Sequence, residues 1–260
     1  MGTLLEGADD RFRRFASVFR ALNRLDDLIN TILDEHQSAF RIREGRERDV
    51  SLLVAASLGK GMKTFQAISR LCLLGYAQDA LVLVRMNVNL FINTAYILAA
   101  NDPPDRFDDF FADSYKRRRT YLRIGHDEKE SPWGEPKMSA AEIEDRAEHW
   151  SELNIESRAK AVPKFPTWHY DLGYRYYSSF EHSDVFALNE YLDTRDGRGL
   201  TIQSGETDDH VRIALVHSYG LVADLLMLVC RYFQIERPEI MQEITETFAH
   251  LEPHHTDKSP

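Results

Sequence analysis

A run of tyrosines, hydroxyl side chains, an arginine and a histidine is the part of this chain best suited to chemistry. Tyr170, Tyr174, Ser178 and His182 follow one another at steps of four, and Arg175 precedes His182 by seven. In a helix these steps place side chains on one face over about three turns. The sequence therefore predicts that acid–base and anion-binding groups lie together on one helix, without help from loops.

One interpretation of this cluster is metal-independent cleavage of RNA. Arg175 and His182, with six residues between them, resemble the arginine–histidine pair of the HEPN superfamily of helical bundles. The resemblance implies that His182 acts as general acid or base in attack by a 2′-hydroxyl, while Arg175 stabilises the charged phosphate. Tyr174 or Ser178 would orient the histidine. It further implies a homodimer working in a toxin–antitoxin or phage-defence system.

Two other interpretations remain open. The same tyrosines, serine and histidine could form a satisfied polar seam in a non-catalytic helical module that binds a partner or a small ligand. Alternatively, His210, His217 and Asp224 lie at successive steps of seven, which is typical of one stripe of a helix and could hold a metal ion. Ferritin-like di-metal bundles use paired Glu-x-x-His motifs, which this chain lacks. We therefore expect no metal and no cofactor.

Three stretches together resemble a bacterial family known only as domain of unknown function 5677. They are Leu71–Arg85, Trp150-Ser151, and Tyr170 onward to His182. The resemblance covers roughly Leu52 to Tyr191 and implies an α-helical domain with no established activity. Family members usually carry a glutamate four residues after the arginine at Arg85, whereas this chain has Asn89.

Arg85 lies in an otherwise apolar helix, and a buried guanidinium requires an anion. Glu181, Asp184 and Asp171, on the tyrosine-rich helix, are the nearest sources of that anion, and members of the resembled family tend to be apolar at the position of Glu181. We therefore predict an Arg85–Glu181 ion pair with Asn89 as a hydrogen-bonding neighbour. This pair would place the polar cluster between the two helices.

Charge argues against general nucleic-acid binding, because the net charge of -10 opposes contact with a phosphate backbone. Lys116–Arg123 nevertheless holds five cations in eight residues, flanked by tyrosines. This patch could bind single-stranded RNA. It could equally be a solvated helix face that balances the acidic residues Asp105 to Asp113 just before it.

The sequence contains no signal-peptide pattern, and its most apolar run, Ala80 to Ala100, is interrupted by one arginine and three asparagines. This composition favours a buried core helix over a membrane span. We expect a cytoplasmic protein without membrane contact. Cys72 and Cys230 lie in apolar patterns and are expected to be reduced structural thiols.

Apolar residues recur at helical intervals almost throughout, which predicts an all-α fold: an antiparallel helical bundle with additional peripheral helices. The predicted helices are Arg11–Leu33, Val50–Leu74, Gln78–Ala100, Asp105–Ile124, Ser139–Trp150, Trp168–Asp184, Asp208–Phe233 and one beginning at Pro238. The short link at Gly75 predicts that the second and third helices form an antiparallel hairpin, and Ser139 with Glu142 predicts a capping box at the start of the fifth. We predict an N-terminal amphipathic helix within residues 1–47, a bundle core in residues 48–236, and a short helix with a frayed tail in residues 237–260.

Overall fold

The computed structural model describes residues 6–122, 137–182, 185–188, 191–193, 201–202 and 205–251. Helices make up nearly all of these ranges, which confirms the all-α class. The helices are α1 (Glu6–Arg14), α2 (Ala16–Glu35), α3 (Glu47–Leu73), α4 (Ala77–Leu98), α5 (Pro103–Leu122), α6 (Ala140–Glu152), α7 (Ile155–Ala161), a π-helix (His169–Tyr176), α8 (Tyr177–His182), α9 (Val185–Leu188), α10 (Val211–Phe233) and α11 (Pro238–Leu251). The two-residue strands β1 (Leu192–Asp193) and β2 (Thr201–Ile202), which the sequence did not predict, pair antiparallel.

The chain divides into two compact units. The first contains Met1–Phe40, Ser57–Phe91 and Pro166–Pro260, and the second contains Arg41–Ala56 and Ile92–Phe165. Each unit is therefore assembled from segments distant in sequence. The predicted division at residues 47 and 236 followed the order of the helices along the chain, and it stays a prediction.

The N-terminal helix predicted from Arg11 to Leu33 is wrong in one respect, since the structure breaks it at Phe15. The break is confined to one residue, because the Phe15 amide still donates to the Arg11 carbonyl and the Phe19 amide to the Phe15 carbonyl. Arg11 anchors α1, since its buried guanidinium donates to Glu206, Asp208 and the carbonyl of Leu73, at 2.9, 2.8 and 3.0 Å.

The turn between α3 and α4 depends on Gly75, whose φ of +84° lies in the left-handed region that favours glycine. A hydrogen bond joins the two helices beyond this turn, because the side-chain amide of Asn87 in α4 donates to the carbonyl of Gly61 in α3 at 3.3 Å. Within the first unit, α4 therefore returns beside α3, as the predicted hairpin requires.

The core of the first unit is built around α10. The buried side chains of α10 lie on all sides of the helix, and α10 packs against α2 and α11. Both α4 and α10 are long and apolar enough to cross a bilayer by length and composition, although most of each helix is buried within the protein. Core helices of soluble proteins meet the same criterion, so this finding does not test the expected location.

In the second unit, α5 packs against α6. Ser139 begins α6 with the predicted capping box, in which its hydroxyl accepts from the Glu142 amide and the Glu142 carboxylate accepts from the Ser139 amide. Ala112, Ile143 and Ala147 form a small apolar core there. Reciprocal capping satisfies two backbone donors at the start of α6, which explains why this boundary could be read from the sequence.

The tyrosine-rich helix was predicted at the right place but with the wrong period. Its first eight residues form a π-helix, and at its end the Tyr177 amide donates to the carbonyl of Leu172, five residues earlier. A π-helix has a longer repeat than an α-helix and occurs frequently at functional sites. The change of repeat alters which residues share a face, with the consequences described next.

Candidate functional site

Arg85 and Glu181 form the predicted ion pair. The Arg85 Nε donates to Ser178 Oγ at 2.8 Å, and the guanidinium lies over the ring of Tyr174 at 4.6 Å. Only 10% of the Arg85 side chain is exposed. The burial of this charge is therefore compensated by a carboxylate, a hydroxyl and an aromatic face.

Asn89 is half-buried, and within the ranges that the structure covers no hydrogen bond joins it to Arg85. The expectation of an Asn89 hydrogen bond in this cluster is therefore not met. Ser178 occupies that role, because its Oγ accepts from Arg85 Nε while Glu181, one turn later, pairs with Arg85 Nη1.

The predicted seam of Tyr170, Tyr174, Ser178 and His182 forms only in part. The rings of Tyr170 and Tyr174 stack at 5.6 Å between centroids, and Ser178 Oγ donates to the carbonyl of Tyr174. His182 lies apart from this stack. Its Nε2 is 3.5 Å from Glu181 Oε2, and 69% of its side chain is exposed.

Arg175 is also accessible, with 68% of its side chain exposed and its guanidinium 4.0 Å from the Asp171 carboxylate. Among the residues described, no hydrogen bond or ion pair joins Arg175 to His182. The two residues are thus open to a solute, and the structure does not assemble them in contact. Arg175, Glu181 and His182 are called the His182 site below.

A second cluster, which the sequence interpretation missed, lies buried between the π-helix, α8 and α10. His169 Nε2 is 2.6 Å from Asp224 Oδ2, and His169 Nδ1 is 3.3 Å from His217 Nε2. His217 Nδ1 is 3.1 Å from the hydroxyl of Tyr177. These four residues, Tyr177, His217, His169 and Asp224, are called the buried histidine chain.

Proton positions in the buried histidine chain follow from the two ends. An ionised Asp224 can only accept, so His169 Nε2 carries a hydrogen and His169 Nδ1 is bare. His217 Nε2 must then donate to that nitrogen, which leaves His217 Nδ1 to accept from the Tyr177 hydroxyl. With both imidazoles neutral, which their burial favours, both histidines are Nε2–H tautomers and every hydrogen bond points toward Asp224.

Burial favours the uncharged forms of the two imidazoles and of the Tyr177 hydroxyl. Desolvation lowers the pKa of His169, partly offset by the hydrogen bond to Asp224. Desolvation, with a further contribution from His169, lowers the pKa of His217 well below its ordinary value. Burial likewise raises the pKa of the Tyr177 hydroxyl. Only Asp224 reaches solvent, with 23% of its side chain exposed.

Aromatic side chains close the space around the two imidazoles. The ring of Trp168 lies 3.8 Å from His169 and 4.4 Å from His217 between centroids, and Phe91 meets His169 edge-on at 5.4 Å. Gly173 lets His217 approach the π-helix, since a Cβ there would be 2.5 Å from His217 Cε1. The buried histidine chain is therefore packed closely on several sides.

The metal interpretation of His210, His217 and Asp224 is not supported. His217 and Asp224 do share a face of α10, but both bond to His169, and His210 packs edge-on against Phe180. Within the described part of the chain, no three His, Cys, Asp or Glu side chains converge so as to hold a metal ion. The step of seven was thus a true signal of a shared face, and the missing partner was His169.

The basic patch can be assessed only for its first members, because Arg123 and the side chains of residues 119–122 lie outside what the structure describes. Lys116 pairs with Glu144, and Arg117 pairs with Asp113. These pairs agree with a solvated, charge-balanced helix face. Binding of RNA by the patch stays a prediction.

An acidic groove of about 670 Å³ lies in the second unit, between α5 and α6. Arg146 neutralises part of its charge by donating to Asp105 and Asp109 at 2.9 and 2.7 Å, and His149 Nδ1 is 2.8 Å from Asp109. These internal pairs give the groove a structural explanation.

Comparison with known proteins yields one match. The model of a family described as "Family of unknown function (DUF5677)" matches residues 52–199. No curated protein matches the chain, and no solved structure does. The matched region includes α4, the π-helix and α8. It therefore contains Arg85, His169, Glu181 and His182.

Proposed function

Because the chain belongs to the DUF5677 family, for which no function is known, we propose from its own residues that it cleaves RNA without a metal ion at the His182 site. The observation that carries the proposal is the exposed His182 imidazole beside the Glu181 carboxylate, which Arg85 holds from within the protein. The Arg175–His182 spacing, with its resemblance to the HEPN superfamily, supports the same chemistry.

His182 would take the proton from a ribose 2′-hydroxyl as the 2′-oxygen attacks the adjacent phosphorus. The bond from phosphorus to the 5′-oxygen then breaks, the 5′-oxygen takes up a proton from water, and a 2′,3′-cyclic phosphate is left. Glu181 orients the imidazole, while Arg175 offsets the charge that develops on the phosphate. Such acid–base participation is worth about 10²- to 10⁴-fold in rate.

The remaining parts of the proposal concern partners and location. We expect a homodimer, contact between RNA and the Lys116–Arg123 patch, a cytoplasmic location without membrane contact, and a role in a toxin–antitoxin or phage-defence system. The exposure of Lys116 and Arg117 on α5 is consistent with RNA contact, and the paired state of both makes that contact dependent on exchange of partners.

A non-catalytic helical module is the second candidate. It is favoured by the contacts of Arg85, because its guanidinium already bonds to Ser178 and Glu181 and lies over the ring of Tyr174. In that case these residues hold α4 to α8, and the function is binding of a partner or a small ligand.

The deciding experiment incubates the full chain with single-stranded and structured RNA in excess chelator. Wild type is compared with His182→Ala and Arg175→Ala, and the matched controls are His250→Ala and Arg13→Ala, which remove an exposed histidine and an exposed arginine from helices of the same unit. All four substitutions are at exposed positions, so unfolding should change by less than about 0.5 kcal/mol.

The proposal predicts a 2′,3′-cyclic phosphate product and no cleavage of a 2′-deoxy substrate. It also predicts that each site variant loses about 100-fold or more in rate, whereas the two control variants keep the wild-type rate. Wild type that leaves every RNA intact, or cleavage that His182→Ala leaves unchanged, would refute the nuclease assignment and leave the helical module as the better account.

A further inference from the structure

We propose that the buried histidine chain is an acid-sensitive latch, which holds the π-helix and α8 against α10 at neutral pH and releases them when the chain takes up a proton. The latch would act on these segments whatever reaction the His182 site performs, so this proposal does not depend on cleavage of RNA.

Every link of the chain joins these segments to α10. Tyr177 of α8 bonds to His217, while His169 of the π-helix bonds to both His217 and Asp224. The three hydrogen bonds span 2.6 to 3.3 Å and involve side chains that are buried except for Asp224. Buried polar chains of this kind stabilise strongly when every member is satisfied and cost free energy when one is not.

A proton added to either histidine breaks this satisfaction at a definite place. If the proton lies on His217, Nδ1 becomes a donor. If it lies on His169, the donor order reverses and His217 changes to the Nδ1–H tautomer, so Nδ1 again becomes a donor. In each case the Tyr177 hydrogen loses its acceptor, and within the ranges that the structure describes His217 is the partner of that hydroxyl.

The surroundings offer little compensation for a cation. The two imidazoles bond to each other, and their other described polar contacts are Asp224 of α10, which bonds to His169, and the Tyr177 hydroxyl of α8, which bonds to His217. From α4, Phe91 meets His169 edge-on and Val88 lies beside Gly173, while the Trp168 ring contacts both imidazoles and stacks with Phe248 of α11. Among the described contacts of the two histidines, the carboxylate is that of Asp224, which bonds to His169.

The linkage has a definite sign. Each histidine has its pKa lowered from 6.5 in the closed form, so the latch is at full strength above pH 6.5 and weakens as the pH falls below it. Between pH 7.5 and 5.5, opening should increase about 10-fold for each histidine that stays neutral when closed, or about 100-fold for the pair. Release would disturb α8, which carries Glu181 and His182.

Hydrogen–deuterium exchange of the full chain tests the latch. Opening of amides 169–182, corrected for intrinsic exchange, is measured at pH 7.5 and 5.5 against the amides of α6 in the second unit, which serve as an internal reference. The latch predicts an increase of about 10- to 100-fold in the π-helix and α8 relative to α6. An equal change in both regions would overturn it.

Two further measurements separate the latch from a general effect of acid. His217→Gln removes one titrating group, so the pH-dependent increase should fall by about 10-fold, whereas His250→Gln at an exposed position of α11 should retain it in full. If His217→Gln does not fold, nitrogen NMR of the wild type decides the question. The Nε2–H tautomer of both histidines at pH 7.5 supports the latch, and the Nδ1–H tautomer of either one contradicts the donor order on which it depends.

Discussion

Gly173→Ala gives a direct test of the packing between the π-helix and α10. A Cβ at this position would lie 2.5 and 2.8 Å from Cε1 and Nε2 of His217 and 2.6 Å from Cγ2 of Val88. His217 cannot move away without loss of its bonds to His169 and Tyr177. Overpacking of a fixed site costs about 1–3 kcal/mol.

Alanine also stabilises a helix relative to glycine by about 0.5–1 kcal/mol, and this opposing gain must be removed from the comparison. Gly59→Ala is the matched control, because Gly59 lies within α3 and a Cβ there would meet nothing within 4 Å. Since both glycines lie inside helices, most of the propensity gain cancels, and the difference between the variants reports chiefly the steric cost. We expect Gly173→Ala to be less stable than Gly59→Ala by about 1–3 kcal/mol.

The assay is urea unfolding at pH 7.5, with the slope of the transition compared among wild type and both variants. Equal slopes allow the midpoints to be converted to free energies. If the two variants differ by less than about 0.5 kcal/mol, His217 is not held against Gly173, and the close packing inferred for the buried histidine chain is refuted.

Three other outcomes follow from the structure. Gly75→Ala should destabilise by about 1–2 kcal/mol from the left-handed backbone alone, and by more because its Cβ would lie 2.6 Å from Arg11 Cζ; thermal unfolding measures the loss, and a Tm equal to that of wild type would contradict it. Ser139→Ala should cost about 1 kcal/mol through loss of the α6 cap, whereas Ser139→Asp should restore most of that stability, as circular dichroism during urea unfolding can show. Burial raises the pKa of Cys72 to about 12 and that of Cys230 to about 11, so a thiol-specific reagent at pH 8 should label the native protein at least about 100-fold more slowly than the urea-unfolded protein, and equal rates would show that the thiols are accessible.

Local patterns predicted much of the fold because the relevant forces act within one helix. The amphipathic periodicity located α3, α4, α5 and α10 to within a few residues, and the capping box located the start of α6. The Arg85–Glu181 pair could also be predicted, because a cation in an apolar helix must find an anion and few were available nearby. The function was harder to predict, because the spacing of Arg175 and His182 suggests a type of reaction but does not identify a substrate.

What the sequence determined by itself was therefore the helical class, most helix boundaries and the need of Arg85 for a counter-ion, all of which depend on periodicity, caps or charge over a few turns. The tertiary structure alone decided that the helix after Trp168 adopts a π repeat and that His169 meets His217 and Asp224 from a helix about fifty residues away. The physical reason is that an imidazole acquires its tautomer, its charge state and its partners from the groups packed around it, and those groups come together only when distant helices pack.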